Sequence, residues 1–229
     1  MKVVDFKQLP ATGKATVHFI RIDPEDLQET LGNILHTLMD MSWLKKFDES
    51  FMQKSFENRA MKTLDDIKRK FDSPQVDKVA SDAAEYVISE LARKSLVDKL
   101  NYLNIPLAEL LGKKVSGNPG FDFHSQNGTT DTVIFGEAKY VARQSGYQSA
   151  LSQVVRFVND RKDIDDVGDL KQFCTPVALQ RVIDGNKGFA IAFSAKRTKT
   201  PALIKTITTH QNFLDLLCYD EVILIAVNL

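Results

Sequence analysis

Cysteine is scarce in this chain of 229 residues, and the scarcity limits its chemistry. Cys174 and Cys218 are the only two cysteines. They have no metal-ligand spacing, and a single pair makes no disulfide framework. We therefore expect no disulfide-stapled secreted scaffold, and the reducing cytoplasm is the expected compartment.

Excess charge of either sign is also absent, because lysine and arginine total 30 and so do aspartate and glutamate. Domains that bind nucleic acid strongly by themselves usually carry a basic footprint. The near-zero net charge argues against such self-sufficient binding. It remains compatible with a local basic groove or with a partner that supplies affinity.

Long apolar runs and familiar phosphate-binding or nucleophile motifs are missing as well. No uninterrupted apolar run approaches the roughly 20 residues that span a bilayer, and the start of the chain lacks the apolar core of a signal peptide. No G-x-x-x-x-G-K-[ST] loop occurs, which argues against an ATPase. We also find no serine or cysteine nucleophile motif. These absences predict no association with a membrane.

The most informative stretch that is present covers residues 120–140, GFDFHSQNGTTDTVIFGEAKY. Alternate side chains of a strand point to the same face. Val133, Phe135, Glu137 and Lys139 therefore share one face, with charge only at its C-terminal end. An ordinary half-exposed strand places its charges on the face opposite its apolar residues. Here the charged pair follows apolar residues on the same, buried face, which indicates a function for that pair.

A second carboxylate precedes this strand. The spacing predicts that Phe121 and Phe123 share one strand face, and that Asp122 and His124 share the other. The intervening run 126–130, QNGTT, favours a turn, so a hairpin is expected. Such a hairpin brings Asp122 beside the strand that carries Glu137.

Two carboxylates and a lysine suit a divalent metal and a phosphodiester. Mg²⁺ prefers oxygen ligands and is usually held by one or two carboxylates, waters and substrate phosphate. Asp122 and Glu137 fit the metal-binding role, and Lys139 fits the role of stabilising developing charge or positioning water. The alternative without a function is a solvated strand end, since an isolated Glu-x-Lys is common.

The coarse pattern predicts an α/β fold with a mixed central sheet flanked by helices. Expected strands cover 16–22, 188–195 and 222–227, in addition to the hairpin. Expected helices cover about 25–39, 49–71, 76–96, 170–183 and 201–217, with another after Tyr140 and a polar loop at 163–168. The first helix is predicted to start at Asp23-Pro24-Glu25, as an N-cap followed by proline. Residues 1–75 are expected to form a mostly helical extension, and residues 76–229 the core.

Asp122 followed by Glu137-Ala138-Lys139, between helices, resembles the PD-(D/E)xK nuclease superfamily. The proline of that motif's name is absent directly before Asp122, where Phe121 stands, although Pro119 is near. The resemblance covers about residues 76–229. It implies a restriction-endonuclease-like core and Mg²⁺- or Mn²⁺-dependent cleavage of DNA.

Many members of this superfamily add a glutamate on the first core helix, and some carry a glutamine or tyrosine on the helix after the lysine strand. Glu85 matches the first, because apolar residues follow three and six positions on. Glu90 is the alternative. Gln148 lies near the predicted apolar stripe of its helix and matches the second better than Gln153 does. The competing interpretation is that these are solvated surface residues.

The subgroup of closest resemblance is the HamA nuclease of the Hachiman antiphage system. The resemblance lies in the run 105–108, IPLA, in Gly120-Phe121-Asp122, and in the run 135–140, FGEAKY. It implies a HamB-type helicase partner and DNA degradation during phage infection. Lys196, Arg197 and Lys199 are candidates for contacts to a DNA backbone. A stand-alone restriction endonuclease and a non-catalytic DNA-binding or scaffold subunit remain open alternatives.

Overall fold

The central element of the fold is a mixed sheet of six strands. A computed structural model describes residues 1–71, 81–112, 120–142, 144–195 and 198–229. The strand order is β1-β2-β6-β5-β4-β3; β1–β2 and β3–β4 are antiparallel, and the other neighbours are parallel. The bounds are β1 Lys2–Leu9, β2 Thr16–Asp23, β3 Phe123–Asn127, β4 Thr132–Lys139, β5 Gly188–Ser194 and β6 Glu221–Val227.

Helices flank the sheet, which confirms the predicted α/β class. Their bounds are α1 Leu27–Met39, α2 Ser50–Phe71, α3 Ser81–Leu100, α4 Tyr147–Asn159, α5 Lys162–Asp166, α6 Pro176–Ile183, α7 Thr200–Thr208 and α8 Gln211–Leu216. A short 3-10 helix covers Ser42–Lys46. None of these described helices is both long and apolar enough to cross a membrane.

The sheet separates two apolar layers. Residues of β4 divide alternately between them, so Phe135 packs with α4 on one face and Ile134 packs with α3 on the other. The inner strands β5 and β6 are buried along their whole length. A parallel strand covered on both faces needs apolar side chains at nearly every position. This requirement explains why the sequence from Val222 to Val227 is almost continuously apolar.

The N-terminal segment contributes more to the sheet than its sequence pattern indicates. β2 pairs in parallel with β6, with Val17 opposite Val222, and β1 pairs with β2. The sheet therefore includes strands from both sides of the predicted division at residues 75 and 76, which itself lies outside the described residues. β1 was not expected, and its residues are exposed or only half-buried until Leu9.

Several predicted helix bounds were wrong. α1 begins after Asp26, whose carboxylate accepts the Glu29 N–H at 2.9 Å, and not after Asp23. The predicted polar loop at 163–168 contains part of α5. Two further differences concern later helices. Residues 170–175 are not helical, and α6 starts at Pro176 with Thr175 as its cap, which is one of the two roles that the sequence allows this proline. The predicted helix 201–217 is two helices, and His210 is the N-cap of the second.

Candidate active site

The hairpin of β3 and β4 forms as the sequence predicts and brings Asp122 to the end of β4. Phe123 lies opposite Gly136, and His124 lies opposite Phe135. Asp122 precedes β3 at a bend, and its backbone N–H donates to the Gly136 carbonyl at 2.8 Å. The Asp122 side chain is thereby held against the strand segment that contains Glu137.

A backbone hydrogen bond orients the Asp122 carboxylate. The Ala138 N–H donates to Asp122 Oδ2 at 2.7 Å, and the Asp122 side chain is buried. Burying a carboxylate is costly unless hydrogen bonds or opposite charge compensate for lost water. This contact places the carboxylate directly beside the backbone between Glu137 and Lys139.

Lys139 is the cation at the centre of the site. Its Nζ lies 2.9 Å from Glu137 Oε1 and 3.4 Å from both carboxylate oxygens of Glu85. Glu137 is fully buried, whereas the Lys139 side chain is 18% exposed. Burial by itself lowers the pKa of Lys139, but the carboxylates of Glu137, Asp122 and Glu85 outweigh burial and raise it. The lysine is therefore an ammonium at neutral pH.

Of the two candidate helix acids, the structure brings only Glu85 to Lys139. Glu85 lies on α3 with its side chain 39% exposed. Glu90, five residues further along the same helix, is buried and pairs with Arg93 through two contacts of 2.7 and 2.5 Å. Glu90 thus has a structural partner, and Glu85 faces the site.

Gln148 lies in the first turn of α4, and its side chain is exposed. None of the hydrogen bonds among the described residues joins it to Asp122, Glu137 or Lys139. The helix itself does reach the site, because the Gly146 N–H donates to the Ser194 carbonyl at 3.0 Å. A Cβ at Gly146 would lie 2.6 Å from the Lys139 carbonyl oxygen, so glycine permits this close approach.

The predicted alternation of Phe121 and Phe123 was wrong. Phe121 packs against Phe135 at 5.3 Å between ring centroids, whereas Phe123 lies in the apolar layer on the other face of the sheet. The reason is the bend at Asp122, which interrupts the regular strand. Gly136 makes room for Phe123, since a Cβ there would lie 2.2 Å from a ring carbon.

His124 is buried and pairs with Asp166. Its Nε2 lies 2.8 Å from Asp166 Oδ2, and its ring meets the Phe135 ring edge-on at 5.5 Å. Sequence reasoning placed residue 166 in a polar loop and missed it. No local pattern marks this aspartate, because its partner is 42 residues away in the chain.

The carboxylates of this site are of the chemical type that binds magnesium, but they do not form a complete set of protein ligands. Among the described residues, no group of three or more histidine, cysteine, aspartate or glutamate side chains is arranged to hold a metal. Mg²⁺ needs only one or two carboxylates, however, because water and phosphate complete its shell. Asp122 and Glu137 supply two carboxylates, which are the ligand type that Mg²⁺ prefers.

Lys199 is the only one of the three basic residues predicted to contact a DNA backbone that the structure describes. Lys199 precedes α7 as its N-cap residue. Lys196 and Arg197 lie outside the described residues.

Comparisons of the chain with protein-family models, curated proteins and solved structures found no match.

Proposed function

We propose that this chain is a metal-dependent deoxyribonuclease that hydrolyses phosphodiester bonds. One observation carries the proposal: the Glu137 and Glu85 carboxylates contact the Lys139 ammonium, and Asp122 is fixed beside the same strand end. If this segment were only a solvated strand end without a function, Glu137 would lie in water. Instead, Glu137 is fully buried.

In this function, Asp122 and Glu137 would hold Mg²⁺ or Mn²⁺, with Glu85 as a further acid. The ion would polarise a phosphoryl oxygen and acidify a bound water. Lys139, as an ammonium, can donate hydrogen bonds to the developing negative charge or orient the attacking water.

We assign Gln148 a supporting role at the edge of this site. It lies in the first turn of α4, and Gly146 packs that helix against the end of β4. Its side chain is exposed, and no hydrogen bond among the described residues uses its amide. Gln148→Ala should therefore weaken DNA binding and leave stability unchanged.

The proposed setting is an antiphage defence complex in which a HamB-type helicase delivers DNA. Its support is the resemblance of the runs 105–108 and 135–140 to HamA nucleases. The zero formal net charge is in keeping with a subunit that obtains its DNA from a partner.

The test compares wild type with Glu137→Gln and Lys139→Met proteins in degradation of plasmid DNA, with Mg²⁺ or Mn²⁺ and with or without the helicase. Both variants should lose at least about 100-fold in rate, because each removes a group that acts on the reacting phosphate. Glu57→Gln and Lys62→Met, exposed positions on α2, are the matched controls. Cleavage by both site variants at the wild-type rate would contradict the proposal.

The same experiment separates the two alternatives. Discrete fragments from fixed sites would indicate a restriction endonuclease, whereas a defence effector should degrade DNA with little sequence preference. A chain that neither cleaves DNA nor binds Mg²⁺ or Mn²⁺ in calorimetry, alone or in complex, would be a scaffold subunit.

A further inference from the structure

The outer strand β1 is an open edge of the sheet. It pairs with β2, and no other strand in the described part of the chain pairs with it. Two of its apolar side chains are largely in water, with Val4 44% and Phe6 45% exposed. An edge strand presents unpaired backbone N–H and C=O groups, which can bind a strand of another chain. This edge is therefore a candidate surface for a second strand.

Cross-strand neighbours define the two faces of β1. Phe6 lies opposite Ile20 and stacks on His18, with 6.1 Å between ring centroids. Lys7 lies opposite Phe19, on the other face. Asp5 is on the same face as Lys7, and the two form an ion pair at 3.0 Å. The exposed aromatic ring and the charged pair thus occupy opposite faces of the edge.

These faces restrict how β1 could pair with itself. Two copies joined in one antiparallel sheet are related by a two-fold axis perpendicular to that sheet, and directly opposed side chains lie on the same face. The axis must therefore pass between one residue and the same residue of the second copy. Centring on Asp5 places two aspartates together, and centring on Lys7 places two lysines together. Centring on Phe6 places Asp5 opposite Lys7 of the second copy, twice, and the two phenylalanine rings side by side. Of these three centres, only Phe6 places opposite charges across the pair.

We propose that β1 forms an antiparallel pair with β1 of a second copy, centred on Phe6, and joins the two sheets. Opposite charges directly across an antiparallel pair stabilise it, and like charges destabilise it. A register shift between Val3 and Asp5 interrupts the strand, so pairing centred on Phe6 is regular only over Asp5, Phe6 and Lys7. Because the contact is short, the dimer is weak, and dissociation is expected at micromolar concentrations.

Sedimentation of the full chain from about 1 to 100 μM tests the pairing, since weak interfaces dissociate in this range. Wild type should shift from monomer to dimer. Asp5→Lys and Lys7→Asp should each weaken the dimer by about tenfold or more, because each replaces two attractive pairs with two repulsive ones. An equimolar mixture of these two variants should form a heterodimer, since every charged pair is then attractive. The double variant Asp5→Lys/Lys7→Asp should also regain the homodimer.

Folding and activity serve as controls. All variants should remain folded at the assay temperature and keep the wild-type rate of DNA cleavage, because β1 and the β3–β4 hairpin lie at opposite edges of the sheet. A wild-type chain that stays monomeric up to the highest concentration overturns the proposal. Loss of the dimer in both single variants without recovery in their mixture overturns the register, and so does a dimer that neither variant weakens.

Discussion

Lys139 Nζ lies 2.9 Å from Glu137 Oε1, and these two residues stand two positions apart on one strand. The ion pair neutralises a carboxylate that is completely buried. The same lysine also faces Glu85 on α3, so one ammonium connects the strand end to the helix that covers it. The candidate catalytic residues Glu137, Lys139 and Glu85 thus also hold β4 and α3 together through these ion pairs.

Lys139→Met should therefore destabilise the metal-free protein as well as stop cleavage. Removing one partner leaves Glu137 without this ion pair, and the expected loss is about 1–3 kcal/mol in free energy of unfolding. Adding Glu137→Gln removes the buried charge, so the double variant should recover much of that loss. Urea unfolding of both single variants and the double variant measures the coupling. Purely additive effects would contradict the pairing, and Lys62→Met is the exposed control.

Gly136→Ala should be strongly destabilising, because the new methyl group would overlap the Phe123 ring. Its Cβ would lie 2.2–2.5 Å from three ring carbons. The expected cost is about 1–3 kcal/mol or more. Gly136→Ala combined with Phe123→Leu should be less destabilised than the sum of the single changes. Gly128→Ala is the control, since the space around that glycine is open. Equal melting temperatures for wild type, Gly136→Ala and Gly128→Ala would contradict the contact.

Much of this site follows from local pattern. Period-two alternation places Glu137 and Lys139 on one strand face, and the turn before Thr132 brings Asp122 close. Contacts between distant segments do not follow from such patterns. The His124–Asp166 pair joins two segments 42 residues apart, and the Phe121 position depends on a bend at Asp122 that no residue type there requires. Glu85 was separable from Glu90 by apolar spacing, but its contact with Lys139 needs the tertiary fold.

The stability of the fold should fall with acidification through His18. Burial lowers the pKa of His18, and the nearby Glu221 carboxylate opposes this only partly. The unfolded chain therefore binds a proton more readily than the folded one, so stability is full above the unfolded value of about 6.5 and declines below it until the folded pKa is passed. His18→Gln should reduce the loss of stability between pH 7.5 and 5.5 in urea unfolding. His36→Gln, at an exposed position, is the matched substitution to compare with it.

Glu85→Gln and Glu90→Gln should separate function from stability on one helix. Glu85 is partly exposed and contacts Lys139 from across the site, so its replacement should slow metal-dependent DNA cleavage about tenfold or more with little change in unfolding free energy. Glu90 is buried against Arg93, so its replacement weakens a charged pair and should cost about 1–3 kcal/mol. Parallel cleavage assays and urea unfolding give both quantities for each protein. If Glu90→Gln slowed cleavage more than Glu85→Gln at temperatures where both remain folded, Glu90 would be the helix acid of the site.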